Sequence, residues 1–210
     1  MVADSKARKI LKSFPKDVVE YFVEIDRKCQ KYGIKFKLGS GKSLNAGMGR
    51  CGGYFDDGQK VLAVAIGSGL YSALSICVHE ASHMKQWKSP KSIWKNRKVY
   101  NGYNRFYCYL DGKKIYKLKT AVDAAISLEL EAERMAVREI KKRWTKYIDL
   151  SKYCRQSSSY LFSYRHMAKT GKWPVVSPSD RRITAHCPDR LLRSYKRVPW
   201  RLQAAFDRYL

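Results

Sequence analysis

Lys60-Val61-Leu62-Ala63-Val64-Ala65-Ile66, then Gly67-Ser68-Gly69, then Leu70 through Trp87 is the stretch that decides how this chain folds. The first seven residues form an apolar run of strand length. The glycine-serine triplet reads as a turn, and the third piece is long enough for about five helical turns. His79-Glu80-Ala81-Ser82-His83 falls in the later turns of that helix. Upstream, Gly52-Gly53-Tyr54-Phe55 leads through Asp56-Asp57-Gly58 into the same strand, which predicts a hairpin whose outer strand lines a cleft.

On a helix, residues i and i+4 lie one turn apart on one face, so the imidazoles of His79 and His83 can reach a single metal ion. Glu80 points to another side, toward the position a catalytic zinc keeps open. There its carboxylate can take a proton from a water that attacks a peptide carbonyl. Val61 to Val78 carries no charge and approaches the length of a membrane span, but glycines, serines and a tyrosine interrupt it. One strand and one buried helix account for it, so no membrane role is expected.

A catalytic zinc site usually takes three protein ligands. No further histidine follows His83 at useful spacing, and His166 and His186 are isolated, which marks them as surface or packing residues. The helix expected from about Thr120 to Trp144 contains Leu128-Glu129-Leu130-Glu131-Ala132-Glu133-Arg134. At about 100° per residue, Glu129 and Glu133 share a face with Val122, Ala125, Ala136 and Ile140, whereas Glu131 points the other way. A carboxylate inside an apolar stripe needs a cation or a donor. Glu129 is read as third zinc ligand and Glu133 as the carboxylate that orients a ligand histidine; the reverse assignment remains open, as does pairing of both with arginines.

His79-Glu80-x-x-His83 followed by Glu129-x-x-x-Glu133 resembles the gluzincin group of zinc metallopeptidases. In that group a glutamate on a second helix completes the metal site, and an acidic residue four positions later orients a histidine. More narrowly, from about Gly47 onward, the chain resembles phage-encoded proteins of unassigned function. The shared features are the histidine motif with Gln86-Trp87, the Leu-Glu-x-Glu-x-Glu-Arg helix, Gly171-Lys172-Trp173-Pro174, Cys187-Pro188-x-x-Leu191-Leu192 and Pro199. The resemblance implies a metallopeptidase-like fold and no particular substrate. Glu131-Ala132-Glu133 stands where an acidic-Cys-Glu sequence is expected, and the high positive charge is outside the family pattern.

That charge is the second signal: 43 Lys and Arg against 18 Asp and Glu, a net +25. Such a surface attracts nucleic acid or an acidic partner, with steep salt dependence. Lys85 to Lys119 holds eleven basic residues and one acid, interleaved with aromatics. Lys85, Lys88, Lys91, Lys95, Arg97, Lys98 and Tyr103 are therefore candidate substrate or nucleic-acid contacts. The alternative, that the aromatics pack on the core while the lysines are solvated, stays open. Alternation in Tyr107-Cys108-Tyr109-Leu110 and Lys114 to Leu118 also suits a second hairpin, turning at Asp111-Gly112.

The remaining features are scaffold. Pro15 to Tyr32 reads as a helix stopped by Gly33, Ile34 to Leu38 as a strand, and Asp149 to Lys169 as a helix packing Tyr153, Tyr160, Phe162 and Tyr164. Prolines break the chain beyond Trp173 into short helices, the last from about Pro199 to Tyr209. Six cysteines without a Cys-x-x-Cys pair exclude a zinc ribbon, and Cys77 reads as core packing. The N-terminus lacks a secretory core, so the cytoplasm, or a virion for a phage-encoded chain, is the expected location.

Together these readings predict one α+β, zincin-like domain over residues 1–210, with a small, mostly antiparallel sheet against the motif helix and a second, glutamate-bearing helix. Residues 1–46 give an N-terminal helix and strand. The metal-site core is 47–148, with a basic aromatic insertion at 85–119, and 149–210 is helical. The expected activity is zinc-dependent endopeptidase, with Zn2+ as cofactor and a protein substrate, itself nucleic-acid-associated. The alternative is a basic nucleic-acid-binding or virion-associated protein that keeps the fold as scaffold.

Overall fold

The structure, a computed structural model, describes residues 1–46, 49–173 and 176–209; Gly47, where the narrower resemblance begins, and Pro174 of its Gly171-Lys172-Trp173-Pro174 stretch lie outside the described residues. The chain is mixed α and β and divides into two compact units, Met1–Pro90 and Lys91–Leu210.

In the first unit, Asp4 caps the opening helix α1 (Ser5–Lys12), its carboxylate accepting from Ala7 N at 2.6 Å. Two residues before it, Val2–Ala3, form strand β1. Helix α2 (Lys16–Lys31) follows Pro15 and buries Val18, Tyr21, Phe22, Ile25 and Cys29, one stripe at helical spacing. Gly33, at φ +66°, lets the chain leave that helix. Strand β2 (Lys35–Gly39) then alternates, with Phe36 and Leu38 buried and Lys35 exposed. Strands β3 (Leu44–Asn45) and β4 (Arg50–Cys51) pair with each other. Strands β5 (Gly53–Asp56) and β6 (Val61–Ala65) form the expected antiparallel hairpin, and helix α3 (Leu70–Lys88) follows as foreseen.

The main sheet runs β1-β2-β6-β5. It is not mostly antiparallel: β1 pairs with β2 and β2 with β6 in parallel, and only β5 with β6 runs antiparallel. Two helices separate β1 from β2, which is the long connection a parallel pair needs. Every residue of β6 is buried, as suits a central strand covered on both faces.

The second unit is helical among its described residues. After a 3-10 turn at Ile93–Lys95 come α4 (Arg97–Leu110), α5 (Leu118–Arg143), α6 (Leu150–Thr170), the short α7 (Arg181–Thr184) and α8 (Trp200–Arg208). The alternative hairpin at Asp111-Gly112 is instead the end of α4. Asn96 Oδ1 accepts from Lys98 N at 3.0 Å to start that helix, and Phe106 and Gly102 are its buried positions. Helical spacing across fourteen residues overrides a four-residue alternation. Phe106, Val122, Ala125, Phe162, Ile183 and Phe206 belong to one core. Tyr153 and Phe162 are buried as expected, but Tyr160 is exposed. His166 is buried beside Gln203 and His186 is exposed. No described helix is long and apolar enough to cross a membrane.

Candidate metal centre

Helix α3 begins after Gly69, whose φ of +91° only a residue without a side chain adopts easily, and runs straight off the buried strand β6. Its later turns bury Glu80, Ala81, Ser82, His83 and Gln86. Strand β5 passes close by. A side-chain carbon added at Gly53 would sit 2.5 Å from Ile76 Cγ2, 2.7 Å from the Ala63 carbonyl oxygen and 3.2 Å from Glu80 Cγ. Glycine at this position is what lets the strand lie against the turn of helix that carries Glu80.

His79, Glu80 and His83 each offer a ligand atom, and these atoms all lie within 4.8 Å of one another. The two rings meet edge to face, with Nε2 of His83 3.1 Å from Nε2 of His79. Nδ1 of His83 lies 2.8 Å from Oε1 of Gln86. An amide oxygen only accepts, so Nδ1 carries the hydrogen and Nε2 of neutral His83 keeps its lone pair for the site. Two nitrogens bound to one tetrahedral zinc at their usual bond length stand about 3.3 Å apart, so the observed pair fits that ion.

Around the cluster, the Cys51 thiol is raised above its ordinary value, first by burial and then by the Glu80 carboxylate. The buried Cys77 is raised further, again by burial first, which agrees with a packing role. Among the described residues, His79, Glu80 and His83 are the group whose side chains could hold a metal ion.

Glu129 and Glu133 are described within the second unit, both buried on α5. Tyr153 Oη donates to Glu133 at 2.7 Å. Burial first, then Glu133, holds the Tyr153 phenol far above its ordinary range, so it stays a donor. Tyr103 and Tyr164 are likewise raised well above the ordinary phenol value, by burial first and then by Tyr107 and Glu129. Glu131, pointing the other way, accepts from the Ser92 hydroxyl.

Gln86, which accepts from His83 Nδ1, is a partner that sequence reasoning did not name. Its spacing of three from His83, on the same helical face, was the available signal. The donor role of Tyr153 was also missed, because a tyrosine in an apolar stripe reads as packing. Of the candidate contacts, Lys88 is exposed at the end of α3, its Nζ 4.6 Å from the Trp87 ring centroid, and Lys85 is half-buried. Lys91, Lys95, Arg97 and Lys98 are exposed. Tyr103 packs its ring between Trp94 and Tyr107, with centroids 6.0 and 4.6 Å away. No family model matches this chain, and neither a curated protein nor a solved structure matches it.

Proposed function

We propose that the chain is a zinc-dependent metallopeptidase, acting as an endopeptidase, with His79 and His83 as ligands and Glu80 as general base. The observation that carries this reading is the 3.1 Å approach of the two Nε2 atoms, with the Glu80 carboxylate in the same cluster. Zinc, when bound, supplies Lewis acidity that polarises a carbonyl and eases loss of a proton from water. Glu80 accepts that proton and returns it to the departing amide nitrogen. Burial of Glu80 keeps its carboxylate out of competition with bulk water, and Gln86 keeps His83 in the tautomer that can bind.

Two further features support a peptide as substrate. Strand β5 stands at the end of the sheet order and runs beside Glu80, so its outer edge offers backbone groups to an extended chain. The pattern His79-Glu80-x-x-His83 with Glu129-x-x-x-Glu133 also resembles gluzincins, and on that sequence pattern Glu129 is proposed as third ligand.

Metal content by elemental analysis tests the proposal, on the native protein and on Glu129→Ala and Glu131→Ala. About one zinc per native chain, lost in the first variant and kept in the second, is the expected result. Native protein that takes up no zinc on titration overturns the reading. Glu80→Gln should retain zinc and abolish hydrolysis of denatured protein substrates; undiminished hydrolysis removes Glu80 from the mechanism.

A further inference from the structure

The positive charge is unevenly divided. Met1–Pro90 has 15 basic against 8 acidic residues, a net +7, and Lys91–Leu210 has 28 against 10, a net +18. Several acids of the second unit are moreover committed. Asp123, Glu139, Asp180 and Asp189 pair with Arg165, Arg143, Arg182 and Arg155. Asp149 caps α6, while Glu129 and Glu133 are buried.

One set of exposed cations is joined in space by α5 and the segment that follows α7. Arg134, Arg138 and Lys141 recur at i, i+4 and i+7 on the exposed side of α5, about one helical turn apart. The chain after α7 is fastened at the start of that stripe: the Arg134 guanidinium donates to the Arg193 carbonyl at 3.1 Å. The same segment is held on α6, where Arg165 Nε donates to the Tyr195 carbonyl at 2.8 Å and the Tyr195 hydroxyl meets Ser158 Oγ at 2.8 Å. Tyr195 is buried, while Arg193, Lys196 and Arg197 are exposed. Trp200 follows directly, 75% exposed, with the Arg201 guanidinium 5.2 Å from its ring centroid.

We propose that this face of the second unit, the Arg134-Arg138-Lys141 stripe with the fastened Arg193–Arg201 segment, binds single-stranded nucleic acid. The cations engage successive backbone phosphates, and Trp200 with Arg201 provides a flat platform on which an unpaired base stacks. An acidic polypeptide would use the cations, but unlike a single strand it does not carry a flat aromatic ring at every repeat to stack on the indole. An anionic lipid surface would need an apolar face to bury, and α8 turns Leu202 and Phe206 into the core instead. The hydrogen bonds that fix the segment's backbone mean that little of it has to be ordered on binding. This function is independent of the α3 site.

The test is binding of the full chain to a fluorescent oligothymidylate over a salt series, with thermal unfolding to verify each variant's fold. Arg138→Glu/Lys141→Glu/Lys196→Glu/Arg197→Glu should lower affinity at least tenfold and flatten the log K against log salt slope by about 0.7 per lost phosphate contact, roughly 3 in all. A reversal of equal charge on the first unit, Lys6→Glu/Lys9→Glu/Lys12→Glu/Lys35→Glu, should change affinity only a few-fold. Trp200→Ala should weaken binding about 5- to 100-fold and leave the salt slope unchanged. Equal weakening by the two reversals, native affinity in Trp200→Ala, duplex binding as tight as single-strand binding, or displacement by polyglutamate at matched charge would each overturn the proposal.

Discussion

The most informative single atom in the candidate centre is Nδ1 of His83, because its bond to Gln86 determines what Nε2 can do. Gln86→Ala removes that acceptor while the helix continues through Lys88. Zinc affinity should fall about 10- to 100-fold with helical content unchanged, and Gln86→Glu, which keeps an acceptor, should restore most of it. Titration against a chelating dye reads both variants. A similar argument applies to Tyr153: its phenol is kept neutral by burial and donates to a buried carboxylate. Tyr153→Phe leaves Glu133 short of that donor and should cost about 1–3 kcal/mol, seen as a lower urea midpoint at constant slope. At this scale the sequence was readable where the chemistry is local. His79, Glu80 and His83 announce themselves by spacing. Tyr153 and Glu133 are twenty positions apart, on different helices, and no one-dimensional pattern joins them.

At the scale of elements, the strand-turn-helix from Val61 to Lys88 and the long helix α5 were legible because each carries an uninterrupted pattern. The end of helix α4 was less legible, because it also suits a hairpin strand. Its Tyr107-Cys108-Tyr109-Leu110 segment alternates, and the glycine in its interior lowers helix propensity. The structure shows why that glycine is there: a carbon added at Gly102 would sit 2.5 Å from Ala124 Cβ, so α4 and α5 approach at the width of their backbones. In an ordinary helix, glycine to alanine stabilises by up to about 1 kcal/mol. Here overpacking should win, and Gly102→Ala should lose about 1 kcal/mol or more overall, with Gly102→Ala/Ala124→Gly recovering part of the loss. A stabilised single variant would show that the crossing is looser than described.

For the molecule as a whole, thiol chemistry sets an upper pH boundary. Burial pushes Cys29 in the first unit and Cys187 in the second from 9.0 up to about 12. Both groups hold their protons in the folded chain after an unfolded chain has released them. Their contribution is therefore complete below pH 9 and declines as pH rises toward 12, by up to about 1.4 kcal/mol per pH unit for each thiol. Urea midpoints measured under reducing conditions should fall across that window, and Cys29→Ala should fall less steeply than the native chain.

Charge was fully legible in composition, yet its placement was not. The densest run in sequence lies at Lys85 to Lys119, whereas the cations argued to act together are joined by α5 and a segment that begins 59 positions after Arg134. The parallel pairing of the sheet was equally hidden, since Lys35-Phe36-Lys37-Leu38 alternates in the same way for either direction of its neighbour. That pairing also bears on the order of assembly. Val2 must find Lys37 and Lys35 must find Val61, whereas the helices of the second unit mostly meet sequence neighbours. Distant pairings close slowly and helical neighbours quickly. The two imidazoles stand four positions apart, but the sheet that backs their helix closes over 26 and 35 positions and the second unit's basic face over 59, so neither site is assembled from local contacts alone.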